Sequence, residues 1–207
     1  MLSMKFRTAV LLFSIIALTA GCATTRHVSN FNYYTRNTGG KGSYLLMNDG
    51  KKITGSHVQW SDMPNTSTWV SIDNQRYRRT EVKAVCQGGI YFIYYKGQYL
   101  KRIITGNKLN VYSNIARFSI GGAQNYETPG RTYIVCWLQR GSDGELVRYT
   151  GNELLATEVR DCPMAYGMAH KSSAEIRRLT KDDPDYLNRI VDIFNNNCRL
   201  PEEQAVR

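Results

Sequence analysis

Five cysteines and three histidines are the side chains of this 207-residue chain most able to make or break bonds. Cys22 stands where an apolar run gives way to small residues, and Cys86, Cys136, Cys162 and Cys198 are spread over the remainder. A cysteine attacks or binds metal only as its thiolate, which needs a base or a cation beside it. Cys162 with His170 can be written as a nucleophile and its base, but no flanking signal supports the pair, and a structural cysteine near a surface histidine accounts for the same residues. No CxxC or HxxxH spacing is present, so a zinc site is not expected. His57 sits in an alternating, strand-like stretch and His27 in a polar one. Asp182-Asp183-Pro184-Asp185 offers carboxylates, but at the spacing of no calcium loop; Asp183 before Pro184 reads as a helix cap. Neither a GxSxG elbow, a GxxxxGK[ST] loop nor a GxGxxG turn occurs. No catalytic residue, metal or cofactor is assigned from sequence.

The strongest pattern surrounds Cys22. Lys5 and Arg7 give a cationic start, residues 8–18 (TAVLLFSIIAL) are apolar or weakly polar, and Thr19-Ala20-Gly21-Cys22 follows. A charged start, a short apolar run and small residues before a cut site make a secretory signal. The run is shorter than the roughly 20 residues that span a bilayer. The end of the pattern resembles the bacterial lipobox, with Thr19 where leucine is usual. That resemblance implies cleavage before Cys22 and diacylation of its sulfur, and two acyl chains hold a protein on a membrane where one holds it marginally. Ala23 fits the sorting pattern that releases lipoproteins to the outer membrane. An exported chain meets an oxidising compartment, so the other four cysteines can form disulfides, in any of three pairings. Two of them lie in strand-like runs and two in the helical region, which favours Cys86–Cys136 and Cys162–Cys198; buried free thiols are the alternative.

Charge is uneven. The chain carries 27 Lys and Arg against 17 Asp and Glu, net +10, and the basic excess lies before residue 152. The densest cluster comprises Arg76, Arg78, Arg79, Lys83, Lys101 and Arg102, with Lys96, opposed by Glu81. For an exported protein these residues suit anionic lipid head groups or acidic glycans better than nucleic acid. A solvated face that keeps the protein in solution explains them equally.

The elements that would position these residues are mostly strands. Alternating stretches at 43–47, 52–60, 68–72, 76–79, 80–86, 90–95, 98–105, 109–112, 131–138 and 145–149 are separated by turn pairs such as Asp49-Gly50, Asp73-Asn74, Gly88-Gly89 and Lys96-Gly97. In the stretch 132–137, alternation puts Tyr133, Val135 and Trp137 on one face and Ile134 and Cys136 on the other. From Asn152 the period becomes helical. Short helices are expected at 153–159 and 163–170, a capping box at Ser172…Glu175, and a last helix opening at Pro184 with Leu187, Ile190, Val191 and Phe194 as its apolar stripe. The expected class is α+β: an N-terminal antiparallel β meander, closing as a small barrel or rolled sheet, followed by short C-terminal helices. The divisions are a signal peptide (1–21), a flexible tether (22–41), a β-rich body (42–150), a helical region packed on it (151–200) and a tail (201–207). Fourteen tyrosines suit such a body. Tyr91, Tyr94, Tyr95, Tyr99, Trp60 and Trp69 could line a sugar- or peptide-binding face, although filling the core is the commoner fate of aromatics in β proteins.

Residues 99–112 (YLKRIITGNKLNVY), then 131–141, then Asn152-Glu153-Leu154-Leu155, then 187–195 with Ile190-Val191-Asp192-Ile193-Phe194-Asn195, follow a characteristic order. The chain resembles an uncharacterised family of Bacteroidetes-type lipoproteins and secreted proteins, in which a β-rich body is followed by short helices. The resemblance covers about the last half of the chain and implies the order of elements but no activity. Thr24-Thr25-Arg26-His27 lacks the acidic pair that sends such lipoproteins to the cell's outer face, so the domain is expected to face the periplasm. The expected role is that of a non-enzymatic envelope interaction or structural protein; an envelope-polymer hydrolase or transferase, or a carbohydrate-binding module, is the alternative.

Overall fold

A computed structural model describes residues 30–33, 41–60, 68–118 and 131–198. The chain is α+β, with antiparallel sheets followed by four helices. The strands are β1 (Ser43–Met47), β2 (Lys52–Gly55), β3 (Val58–Gln59), β4 (Trp69–Ile72), β5 (Gln75–Arg78), β6 (Val82–Gln87), β7 (Ile90–Tyr95), β8 (Gln98–Ile104), β9 (Leu109–Phe118), β10 (Arg131–Arg140) and β11 (Leu146–Arg148). Eight form one sheet in the order β11-β10-β9-β8-β7-β6-β1-β2, and β3-β4-β5 form a second. Among the described residues the helices are α1 (Asn152–Glu158), α2 (Pro163–Ala169), α3 (Ser173–Asp182) and α4 (Tyr186–Asn197).

Two-residue hairpins order the meander. Gly88-Gly89, Lys96-Gly97 and Asp73-Asn74 all take positive φ at both positions, the primed turn whose twist matches the flanking strands. The large sheet rolls. The Tyr95 hydroxyl on β7 donates to the Leu146 carbonyl on β11 at 3.3 Å, and Lys83 on β6 pairs with Asp143 beyond β10 at 3.5 Å. In a flat sheet β7 and β11 would lie ~19 Å apart, four strand spacings. Bulges at Lys83 and Ile103, where one strand carries an extra residue, supply bend. Among the described residues β2 and β11 are the edges of this sheet, so the roll is open there.

Both faces of the roll are buried. Its inner face is filled by Ala84, Cys86, Tyr91, Ile93, Leu100, Tyr112, Trp137 and Leu146. One part of the outer face is covered by the small sheet, through Leu45, Val58, Val70, Ile72, Val85 and Tyr99. The other part is covered by the helices, through Ile103, Leu109, Val111, Cys136, Leu155, Leu187, Ile190, Val191 and Phe194. The apolar stripe of α4 thus meets the sheet as its spacing requires.

Three local expectations are corrected. The single strand expected over 52–60 is two, in different sheets. Asp73 breaks it: its carboxylate accepts from the Ser56 hydroxyl at 2.8 Å and from the Ser56 and His57 backbone N–H groups. Those bonds hold the Asp73 carboxyl below its ordinary range, the Ser56 hydroxyl contributing most. Gly55 is needed there, since a Cβ would fall 2.4 Å from that carboxylate. Second, α4 opens at Tyr186, not Pro184. Asp183 ends α3 in extended backbone, as a residue before proline must, and accepts from the Asp185 N–H at 3.0 Å. Third, within the stretch expected as a free tether, residues 30–33 pack against the body. Phe31 is 1% exposed and meets the Tyr149 ring edge-on, with centroids 5.1 Å apart. Asn30 donates to the Ile134 carbonyl at 2.8 Å, and Asn32 bonds both Asn188 and Asp185.

Candidate functional site

Two neighbouring cross-strand rows decide which side chains meet. One runs Leu45, Val85, Phe92, Lys101, Ser113, Cys136 on the outer face of the roll. The next places Tyr44, Cys86 and Tyr91, then Arg102, Tyr112, Trp137 and Arg148, on the inner face. Alternation therefore separates residues adjacent in sequence, and the basic cluster is divided by it.

Arg102 points inward, 4.1 Å from the centre of the Tyr91 ring and hydrogen-bonded to Tyr112. Burial raises the Tyr44, Tyr91 and Tyr112 phenols, and the nearby Arg102 guanidinium offsets part of that rise. Tyr112 also donates to the Gln139 side chain at 3.0 Å, and Gln139 to the Gly144 carbonyl at 2.9 Å, which makes an internal polar seam. Lys101 points outward, donates to the Tyr33 carbonyl at 3.0 Å and lies 4.6 Å over the Tyr33 ring; burial lowers its ammonium. Arg79 is 6% exposed in a single 3-10 turn (Arg79–Glu81), against the Tyr94 and Tyr99 rings. Lys83 pairs with Asp143. Arg76 and Arg78 are exposed on β5. The six residues expected to act together thus occupy separate places, and only Arg76 and Arg78 share an outward face.

The aromatics divide the same way. Tyr91 and Tyr99 are buried, and Trp60 packs on Phe92 at 4.2 Å and Tyr99 at 5.2 Å between the sheets. Trp69 alone of the six is exposed, at 46%. Its signal in the sequence is its phase, out of step with Val70 and Ile72, which face the core.

Cys162 and Cys198 form a disulfide, with Cα atoms 5.5 Å apart, as expected. The expected Cys86–Cys136 bridge does not form; both are buried free thiols. Three strands lie between them and they face opposite sides of the sheet, whereas a disulfide needs Cα atoms within about 7 Å. Cys86 donates to the Gly42 carbonyl at 3.3 Å, and Cys136 faces the Ser113 hydroxyl at 3.6 Å, its thiol pushed up to about 11 by burial. With Cys162 bridged, the Cys162–His170 nucleophile has no thiol; His170 stacks on Tyr166. Cys22 and His27 lie outside the described residues.

A cavity of about 410 Å³ is lined by Ile103, Ile104, Asp183, Asp185, Asn188, Arg189 and Asp192. Two of its three carboxylates are engaged: Asp183 ion-pairs with Arg189, and Asp185 accepts from Asn32 at 2.8 Å. Asp192 is raised by burial and by Asp185. Among the described residues, no group of three or more His, Cys, Asp or Glu is placed to hold a metal ion.

Sequence reasoning missed the docked residues 30–33; two aromatics in an otherwise polar stretch were their signal. It also missed what the GNKLNVY stretch does. Asn195 on α4 bonds both backbone groups of Leu109, Lys108 reaches the Phe194 carbonyl at 3.4 Å, and Asn110 accepts from the Gly106 N–H at 3.1 Å. These residues join the sheet to the last helix. No protein family, curated protein or solved structure matches this chain, so its own side chains carry the functional reading.

Proposed function

We propose that this chain is a lipid-anchored envelope lipoprotein whose folded body is a non-enzymatic interaction or structural module, held at the outer membrane and facing the periplasm. One juxtaposition carries the reading. The pattern that resembles a lipid-attachment site ends at Cys22, and Asn30, the first described residue, is already packed on the body. Residues 23–29 alone separate them, at most ~29 Å of fully extended backbone. A body set so close behind a lipidated cysteine works at a bilayer surface.

The alternative, a hydrolase or transferase of envelope polymers, finds a candidate site among the described residues in the cavity beside α4. Its Asp183 and Asp185 are engaged by Arg189 and Asn32, and Asp192, raised by burial and by Asp185, is the carboxyl there that such an enzyme would use as its acid. A sugar-binding module would rest on Trp69, the one exposed aromatic of the six considered. The test of the anchor is Cys22→Ser. The variant is expected to lose labelling by a fatty-acid analogue and to leave the membrane fraction; labelling that persists overturns the reading.

A further inference from the structure

The three-stranded sheet has two unlike faces. Val58, Val70 and Ile72 turn inward onto the roll. The opposite face presents Trp69, Ser71, Arg76 and Arg78, because register sets Trp69 opposite Arg78 and Ser71 opposite Arg76. Directly opposed side chains lie about 5 Å apart at Cβ, so one indole and two guanidinium groups share a small platform. These strands hold two arginines and no acidic residue. The carboxylate of Glu81, the acidic residue next along the chain, accepts from the Arg78 backbone N–H at 3.1 Å.

A large indole with nearly half its surface in water, flanked by arginines, suits one kind of surface. Tryptophan favours the head-group level of a bilayer, where its apolar ring and polar N–H are both satisfied. Guanidinium forks match phosphate oxygens in pairs. The platform also lies on the same side of the main sheet as the segment leading from the anchor. Lys101 and Phe92 are cross-strand partners on the outer face; Lys101 holds Tyr33, and Phe92 holds Trp60 at the end of β3.

We infer that the Trp69–Arg76–Arg78 face rests on the anionic head groups of the bilayer that holds Cys22. The identity of that surface rests on the lipoprotein reading above; the chemistry of the face does not. Docking turns the body so that the small sheet lies against the membrane and the helical layer stays in reach of other partners.

The test uses the full chain on two sets of vesicles, phosphatidylglycerol and phosphatidylcholine, each carrying brominated acyl chains. Co-flotation reports attachment by any route, and quenching of Trp69 emission reports docking of this face. Trp69→Phe identifies the signal, since Trp60 and Trp137 are packed in the fold. The expected result is quenching on phosphatidylglycerol that is absent on phosphatidylcholine and weakened at 1 M salt, where screening shortens to about 3 Å. Arg76→Glu with Arg78→Glu should abolish it. In the Cys22→Ser chain, removing the two attractive arginines should also cut partition onto phosphatidylglycerol by roughly 25-fold, about fivefold for each. A chain that floats with the vesicles while Trp69 stays unquenched overturns the docked face and leaves the anchor standing. A Cys22→Ser chain that is still quenched on phosphatidylglycerol, beside a wild type that never takes lipid, overturns the anchor and leaves the face standing.

Discussion

Asn195 on α4 grips the backbone of Leu109 at both ends, accepting from its N–H and donating to its carbonyl, each at 2.9 Å. A side-chain amide thereby stands in for a strand partner where β9 begins. The fit is close: a Cβ on Gly106 would fall 2.1 Å from the Asn195 amide carbon. Asn195→Ala should leave two backbone groups unsatisfied in a buried site, at about 1–3 kcal/mol each. Asn195→Asp keeps the acceptor, sets a carboxylate against the Leu109 carbonyl, and should be no milder. Urea unfolding measures both, and a loss below about 0.5 kcal/mol for Asn195→Ala would remove the grip from the list of stabilising contacts.

The Cys162–Cys198 bridge closes a loop of 36 residues that holds α2, α3 and α4. In the chain-entropy account such a loop is worth about 4 kcal/mol. Reduction, or Cys162→Ser with Cys198→Ser, should lower the thermal midpoint, and the same treatment should leave a Cys86→Ala, Cys136→Ala variant just as responsive. Thiol titration should find no reactive cysteine in the native folded domain and two in the denatured, unreduced one, Cys86 and Cys136.

Alkaline pH should destabilise the fold by a defined route. The Cys136 thiol is raised from 9.0 to about 11 and the Tyr99 phenol from 10.0 to about 12, both mainly by burial. The unfolded chain therefore releases these protons first. The stability each contributes is complete below its unfolded value and is lost as pH rises through the folded one, pH 9–11 for Cys136 and 10–12 for Tyr99, at up to about 1.4 kcal/mol per pH unit for each group. Denaturant midpoints at pH 8, 10 and 11 should fall in that order. Cys136→Ala should flatten the earlier part of the decline.

Phe31 holds the N-terminal segment. Truncating a buried phenylalanine to alanine costs about 3–5 kcal/mol. In Phe31→Ala the contacts of Asn30 and Asn32 lose their anchor, and a protease should cut ahead of Lys41 faster than it unfolds the domain. Cleavage rates equal to wild type would show that the segment is held by its asparagines alone.

The strands were legible because their turns were. Lys96-Gly97 announces a two-residue hairpin from sequence and Gly88-Gly89 a break between strands, and alternation through 132–137 correctly assigned Val135 and Trp137 to one face and Cys136 and Ile134 to the other, both faces buried. What alternation could not supply was the order of strands. Without it Cys86 and Cys136 look like natural partners, since both sit in strand-like runs. Register puts three strands between them. The basic cluster is divided for the same reason in reverse: Lys101 and Arg102 are neighbours in the chain and lie on opposite faces of the sheet. Asp73, which divides β2 from β3, acts from seventeen residues away, beyond the reach of any local pattern.

The short span between Cys22 and Asn30 has a consequence for affinity. If Cys22 carries lipid as proposed, the body cannot dilute away from its bilayer; it would sample a shell about 3 nm deep, where the local concentration of head groups corresponds to a short-linker effective molarity in the millimolar range or above. A contact too weak to detect between free molecules is then occupied much of the time. On the lipoprotein reading proposed above, two arginines and one tryptophan would suffice under that condition.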